Sequence, residues 1–285
     1  MKENNIYIGT CSWKYDDWKG IVYNSDNINN YLEEYAKIYN SVEIDQWFWS
    51  LFPNQIVLPK IETVNEYSKS VTKNFKFTIK VPNSITLTHF YSKGNNDLIV
   101  NPNFLSTDLT NKFLEIIQPL HCNIGVLIFQ FEYLNKQKME NQNKFIDLIS
   151  KFINKLSPEF NYGFELRNPN YLNQKYFDFI NKTKICHVLL HGYFMPNIYD
   201  TFSKYEKYFT RTTVLRIHGE DRKGIEKLTQ NKWDKILINR DVEINQLIEI
   251  IKKLSEKNID VYVNVNNHFE GSAPLTIRKI ESFLK

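Results

Sequence analysis

Glycine is scarce in this chain of 285 residues: there are nine, and nowhere do they fall in the spacings GxGxxG or GxxxxGK[ST]. An open, doubly wound sheet that cradles a dinucleotide or nucleoside triphosphate usually carries such a loop after its first strand. Here the first strand runs instead into "GTCSWKYDDW". Cysteine is scarcer. Cys11, Cys122 and Cys186 are odd in number and far apart, which fits neither a disulfide framework nor a CxxC-type zinc site. They read as reduced thiols, two or all three of them small buried hydrophobes. Excess charge of one sign is lacking too. A net +4 from 36 basic and 32 acidic residues, scattered along the chain, is not the footprint of a dedicated nucleic-acid binder, although it leaves room for a local basic cleft. No apolar run approaches the length of a membrane span, and "MKENNIYIGTCSW" holds no stretch of signal-peptide length. The expectation is a cytoplasmic protein with no membrane partner.

What is present is core material: 42% of residues are hydrophobic and 15% aromatic, enough to exclude a disordered chain. Eight short β-branched or aromatic runs stand out: "IYIGTC", "SVEIDQ", "FKFTIKV", "IGVLIFQF", "YGFELR", "ICHVLLH", "TVLRIH" and "VYVNVN". Between most of them lie segments with apolar residues at three- and four-residue steps, among them "NNYLEEYAKIY", "NKFIDLISKFINKL" and "VEINQLIEIIKKLSEKN"; "PLTIRKIESFLK" closes the chain. Strands alternating with helices require parallel pairing with right-handed crossovers. About eight such units close a barrel, and barrels of this kind commonly run to about 250 residues. The expectation is α/β: one TIM-type (β/α)8 barrel domain over residues 1–285, with one long connection after the third strand, "NSITLTHFYSKGNNDLIVNPNFLSTDLTN", serving as a lid or small subdomain.

In such a barrel all strands end at one rim, and active sites form there. The strand ends are polar almost without exception. In order they offer Ser12 and Trp13; Glu43, Asp45 and Gln46; Lys80, with His89 beyond it; Gln130 and Glu132; Glu165 and Arg167; His191; Arg216, His218 and Glu220; and Asn266, Asn267 and His268. Charges gathered in one mouth must pair with one another, because an unpaired buried charge costs several kcal/mol, to order of magnitude.

The segments "IGTCSWKYDDWKGIVY", "YNSVEIDQWFW", "FKFTIKVP", "IGVLIFQF", "FELRNPNY", "LRIHG" and "VYVNVNNHFEGSAP", in this order and over nearly the whole chain, resemble the DUF72 or YecE-like family, TIM-barrel proteins of unknown function. The resemblance implies that Glu43, Lys80, Gln130, Glu165, Arg167, the stretch Arg216–Gly219 and the pair Asn266 and Asn267 are family positions. It supplies no reaction. Three places depart from the family pattern: Asp45 stands where an Asn is usual, "FQFEYL" lacks the usual prolines, and "LLHGY" lacks an aspartate that many relatives have, with His191 in its neighbourhood.

Each candidate has a plainer reading beside it. Glu165 and Arg167 lie two apart and so face the same way, either as a brace for the barrel or as a clamp whose planar fork suits carboxylate or phosphate. Glu43 is the foremost candidate acid or base, or else a partner for a neighbouring cation; His218 is the second. Lys80, Gln130, Arg216, Asn266, Asn267 and Trp13 complete the proposed ligand contacts. Of the adjacent asparagines, Asn266 is expected to point into the mouth and Asn267 to fix the loop that follows. Trp13, Trp18, Trp47, Phe48, Trp49 and Tyr193 are either upper core or stacking platforms for sugars or bases. His89, His191, His218 and His268 could join Glu43 and Glu165 around a metal, but the cations at the same rim oppose a divalent ion and no HxH, HxxE or HExxH spacing occurs, so no metal ligand is assigned. The reading is a barrel that binds or transforms a small polar, anionic or sugar-like molecule by acid/base chemistry, with hydrolase, lyase and isomerase reactions all open. A metal-assisted phosphodiester or nucleic-acid-processing enzyme, or a non-catalytic ligand-binding barrel, are the alternatives. Cofactor and oligomeric state stay unassigned.

Overall fold

The computed structural model describes residues 5–24, 27–91 and 98–284. Eight parallel strands close a barrel: β1 Ile6–Thr10, β2 Ser41–Ile44, β3 Lys76–Lys80, β4 Ile124–Gln130, β5 Tyr162–Glu165, β6 Cys186–His191, β7 Thr212–Ile217 and β8 Asp260–Val265. They pair in sequence order, and β8 returns to β1 with Ile6 opposite Val261 and Thr10 opposite Val265. All eight expected strands are therefore in place and the (β/α)8 expectation holds.

The period-two alternation of the strands sorts residues between two cores. Outward positions, such as Leu215 and Ile217 on β7 and Val261, Val263 and Val265 on β8, join the large core shared with the helices. Inward positions at the lower end of the barrel form a separate small apolar cluster of Val126, Ile128, Cys186, Val188, Val214 and Tyr262, with Tyr7 against it. One step further along the same inward phase the residues become Arg216 on β7, Asn264 on β8, Gln130 on β4, Thr78 and Lys80 on β3, Glu165 on β5 and Glu43 on β2. The barrel is thus plugged by hydrocarbon below and by charge above.

Helices begin where a polar side chain can satisfy the free N–H groups of the first turn. Asn141 accepts from Lys144 N at 3.0 Å at the start of Gln142–Ile153, and Asn197 accepts from Tyr199 N at 2.7 Å at the start of Ile198–Tyr205. The longest helix, Asp241–Glu256, turns Ile244, Leu247, Ile248, Ile251 and Leu254 to the core at three- and four-residue steps. Among the described residues no helix is long and apolar enough to cross a membrane.

The long connection after β3 is anchored at both described ends. Asn83 accepts from Ser50 N and Leu51 N, each at 2.9 Å, tying it to the short hairpin Leu51–Phe52/Gln55–Ile56. Asn101 donates to Ser84 O at 2.8 Å and Leu87 O at 2.7 Å. Residues 92–97 of this connection, expected to be a lid or small subdomain, lie outside the described residues.

Candidate functional site

Arg216 is the centre of the mouth. Its side chain is 1% exposed, and it reaches across the barrel to strands β2 and β5. Nε donates to Glu43 Oε2 and Nη2 to Glu43 Oε1, both at 2.6 Å, a two-pronged pair. Nη1 donates to Glu165 Oε2 and, at 3.4 Å, to Gln130 Oε1. The other oxygen of Glu165 lies 2.7 Å from Arg167 Nη2. Asn264 donates to Glu43 Oε2 at 3.0 Å and to Thr78 Oγ1 at 2.8 Å. Two carboxylates, two guanidiniums and two amides thus form one network, the arrangement a buried charge requires.

The network fixes the charge states. Burial alone would raise Glu165, but Arg167, Arg216 and Lys80 outweigh it and hold the carboxyl at about 2. Arg216 is held cationic: burial would lower it, and Glu165 and Glu43 more than compensate. His218, buried beside Arg216, Arg167 and Lys80, is pushed well below the usual histidine range and is neutral. Its Nε2 lies 3.6 Å from Cys11 Sγ and its Nδ1 3.5 Å from Tyr193 Oη. The Cys11 thiol is driven well up by burial and then by the Glu43 charge, so it stays protonated.

Around this floor runs a partly exposed ring of Asp45, Gln130, Arg167 and Tyr193. Arg167 stacks on Tyr193, its guanidinium carbon 4.1 Å from the ring centroid. Lys80 stands between floor and ring. It is 8% exposed, its Nζ sits 4.0 Å from the centroid of the Phe48 ring, and among the described residues it has neither an ion-pair nor a hydrogen-bond partner. Burial and the Arg216 charge pull its ammonium down to about 8. Asp45 is raised to about 6 by burial and the neighbouring Glu43, against the opposing pull of Lys80 and Arg216.

The structure redistributes several expected site residues. The amide that reaches the charged floor is Asn264, not Asn266. Strand β8 ends at Val265, so Asn266 lies in the turn, where its Oδ1 accepts from His268 N at 2.9 Å. Asn267 fixes the loop: its Oδ1 accepts from Ala273 N and its carbonyl from Gly271 N, both at 2.8 Å. Most of the polar knot after β8 thus secures the last helix, with Glu270 bonded to Thr276 at 2.8 Å and Lys279 at 2.7 Å.

Glu43, expected as acid or base, has both oxygens engaged by Arg216. Trp13 is buried, packs edge-on against Tyr67 and accepts from the Tyr23 hydroxyl through its carbonyl. It lines a cavity of about 440 Å³ outside the charged floor, with Lys14, Tyr31, Gln46 and Tyr67. Trp18, Trp47 and Phe48 are buried as well, whereas Trp49 is 67% exposed.

The histidines do not converge. His89 bonds Thr88 at 2.9 Å, His191 packs edge-on against Phe269, and His268 turns to Glu226 at 3.3 Å and to Trp233. Among the described residues the ligand atoms that do gather are those of Cys11, Glu43 and His218, within 4.8 Å of one another. They fit a divalent ion poorly, since the Glu43 charge is committed to Arg216 and the thiol holds its proton. Gly219, beside His218, is the one residue type its place allows: φ is +80° and a Cβ would stand 2.5 Å from His268 O.

Asn264 and Cys11 were missed from sequence. A signal for each existed, because asparagine is depleted within strands and Cys11 shares the inward phase of Tyr7 and Gly9.

Residues 7–285 match the model of a family described as "Protein of unknown function DUF72". A protein of Escherichia coli K12 named UPF0759 protein YecE is 28% identical over 166 residues, which is 58% of this chain and 50% of that relative. The matched stretch thus spans only about half the length of the curated relative. Among solved structures, a DUF72 family protein from Thermotoga maritima superposes with a TM-score of 0.69 at 20% identity, covering 98% of both chains. Another, from Enterococcus faecalis, gives 0.69 at 19% identity over 98% of this chain and 95% of that one. At these identities the likeness speaks for the fold.

Proposed function

Since this chain belongs to the DUF72 family, whose function is unknown, we propose from its own mouth geometry that it binds a small anionic, sugar-like molecule there and acts on it by proton transfer. The observation that carries this reading is Lys80: a cation buried to 8% exposure without a counter-charge of its own among the described residues. The surrounding carboxylates form no ion pair with it: Glu43 and Glu165 are taken by Arg216 and Arg167, and Asp45, itself raised to about 6, acts on it only through its charge. An anionic group entering the mouth would complete the pairing. Arg167, partly exposed, would hold a second oxygen, and Gln130 and Tyr193 would meet hydroxyls.

The roles expected of Glu43 and His218 shift in this reading. Glu43 positions Arg216, and neutral His218 is a hydrogen-bonding wall rather than a charged acid. Proton transfer falls to Asp45, partly exposed and raised to about 6, with Lys80 at about 8 as its partner. Both lie close enough to neutrality to exchange protons there.

Calorimetric titration with sugar phosphates and aldonic acids, and with the neutral sugars as controls, tests the reading. The acids should bind and the neutral sugars should not, and Lys80→Met should weaken the acids by at least about tenfold, the worth of one charge-assisted bond. Equal binding of acids and neutral sugars would refute it.

A further inference from the structure

We infer that Lys80 is a nucleophile that forms an imine with an aldehyde or ketone, so that the ligands of the mouth are small anionic carbonyl compounds. This rests on the reading of the mouth as an anion site and adds the reacting group to it. Imine-forming lysines need a desolvated side chain, a neighbouring cation that discourages protonation, freedom from a tight ion pair, and an acid/base group nearby. Lys80 meets the first three, and Asp45, whose charge acts on it, is the candidate for the fourth. Its stem is buried at the C-terminal end of β3, and its nitrogen lies over the apolar face of Phe48. Arg216 is the neighbouring cation.

Glu43 and Glu165, the carboxylates that would otherwise hold Lys80 as an ammonium ion, are bound to Arg216 and Arg167. Asp45, which follows β2 directly after Ile44, is partly exposed and is coupled to Lys80 through its charge, is the acid/base group. The fall of the ammonium to about 8 agrees with this placement.

The chemistry closes without an outside reagent. Neutral Lys80 Nζ adds to the carbonyl carbon, and a nitrogen proton passes by way of Asp45 to the oxygen, giving a carbinolamine. Asp45, reprotonated from solvent, then gives a proton to the hydroxyl, which leaves as water while the nitrogen lone pair closes the C=N bond. One proton is taken up overall, and the product is a protonated imine. That cation is placed to draw electrons from the adjacent carbon, the common first requirement of aldol cleavage, dehydration and isomerisation of sugar-like substrates.

The test uses a matched pair of probes on the whole protein: glycolaldehyde phosphate, which has a carbonyl, and phosphoglycolate, which has the same anionic end and none. At pH 7, with cyanoborohydride present, peptide mass mapping gives the labelling rate of Lys80 relative to exposed lysines such as Lys112. An amine near pKa 8 offers a neutral fraction over a hundredfold larger than one near 10.4, and its weaker basicity returns only part of that. Lys80 should therefore label at least about tenfold faster. Phosphoglycolate should raise the melting temperature and suppress the labelling, and Asp45→Asn should slow labelling while leaving the phosphoglycolate shift in place. Lys80→Arg keeps the cation and should keep the shift while abolishing the label, which separates imine formation from folding.

If phosphoglycolate stabilises the protein but Lys80 labels no faster than Lys112, the imine is refuted and the anion site stands. If Lys80 labels fast while phosphoglycolate has no effect, the imine stands and the anion reading fails. If neither is seen, both fall.

Discussion

Replacing Glu43 with glutamine changes one atom in the carboxylate that grips Arg216 with both oxygens. The oxygens of Glu43 accept from Arg216 Nε and Nη2 at 2.6 Å each, and Oε2 also accepts from Asn264 Nδ2 at 3.0 Å. A glutamine can offer one oxygen to this set. If its NH2 takes the Oε2 position it faces two donors; if it takes the Oε1 position it faces Arg216 Nη2. Either way a donor meets a donor, and Arg216 keeps Glu165 as its only full counter-charge while remaining 1% exposed. Breaking a buried pair from one side costs about 3–5 kcal/mol, a large share of the roughly 5–15 kcal/mol that holds a domain folded. At about 2–4 °C per kcal/mol for a large domain, the melting temperature of Glu43→Gln should fall by roughly 6–20 °C. Calorimetric or circular-dichroism melts at pH 7 would measure it. A fall of less than about 2 °C would refute the claim that Glu43 serves as the counter-ion of Arg216, and would return it to the role of a free acid or base.

Other consequences follow from the charge states. Asp45 is raised in the folded protein, so its ionisation opposes folding: Asp45→Asn should be more stable than the parent above pH 6, by about 1–3 kcal/mol, and the difference should vanish below about pH 3.8, as paired urea titrations would show. Glu165 has the opposite sign. Held at about 2, it stabilises the fold fully above about pH 4.5, and the gap between parent and Glu165→Gln should shrink as pH falls from there towards 2. Asn264→Ala should lower both stability and ligand affinity, because it removes a bond to Glu43; Asn267→Ala should cost about 1–3 kcal/mol of stability through the loss of the Ala273 N–H partner and leave affinity unchanged. Thermal melts and titrations on both variants would separate the two.

The barrel was legible because its signal is local and repeated. Each strand carries its own alternation, and the repetition of polar ends pointed to one rim. The pairings within the rim were not legible in the same way. Arg216 meets Glu43 across 173 residues of chain and Glu165 across 51, and which carboxylate takes which prong depends on strand register around the whole barrel. The misplaced amide has a smaller cause. Asn264, Asn266 and Asn267 are separated by one or two residues, and choosing among them requires knowing that β8 stops at Val265.

The histidines illustrate a third limit. His191 lies on the outward phase of β6 against Phe269, and His268 lies in a turn directed at Glu226; only His218 shares the inward phase of its strand. The departures from the family pattern have physical outlets too. Glu132, in the stretch without prolines, accepts from Thr88 N at 3.2 Å and from its hydroxyl at 2.9 Å and pairs with Lys138, tying that loop to the connection after β3.

The most direct test of the account is a crystal structure of the protein with the tightest-binding acid from the titration series. The account predicts the acid's charged group within hydrogen-bonding distance of Lys80 Nζ and of Arg167, with Asp45 and Gln130 flanking the rest of the molecule. An empty mouth would contradict it, with the acid lodged instead in the cavity beside Trp13 and Tyr67 or in the one of about 390 Å³ near Cys186 and Arg211.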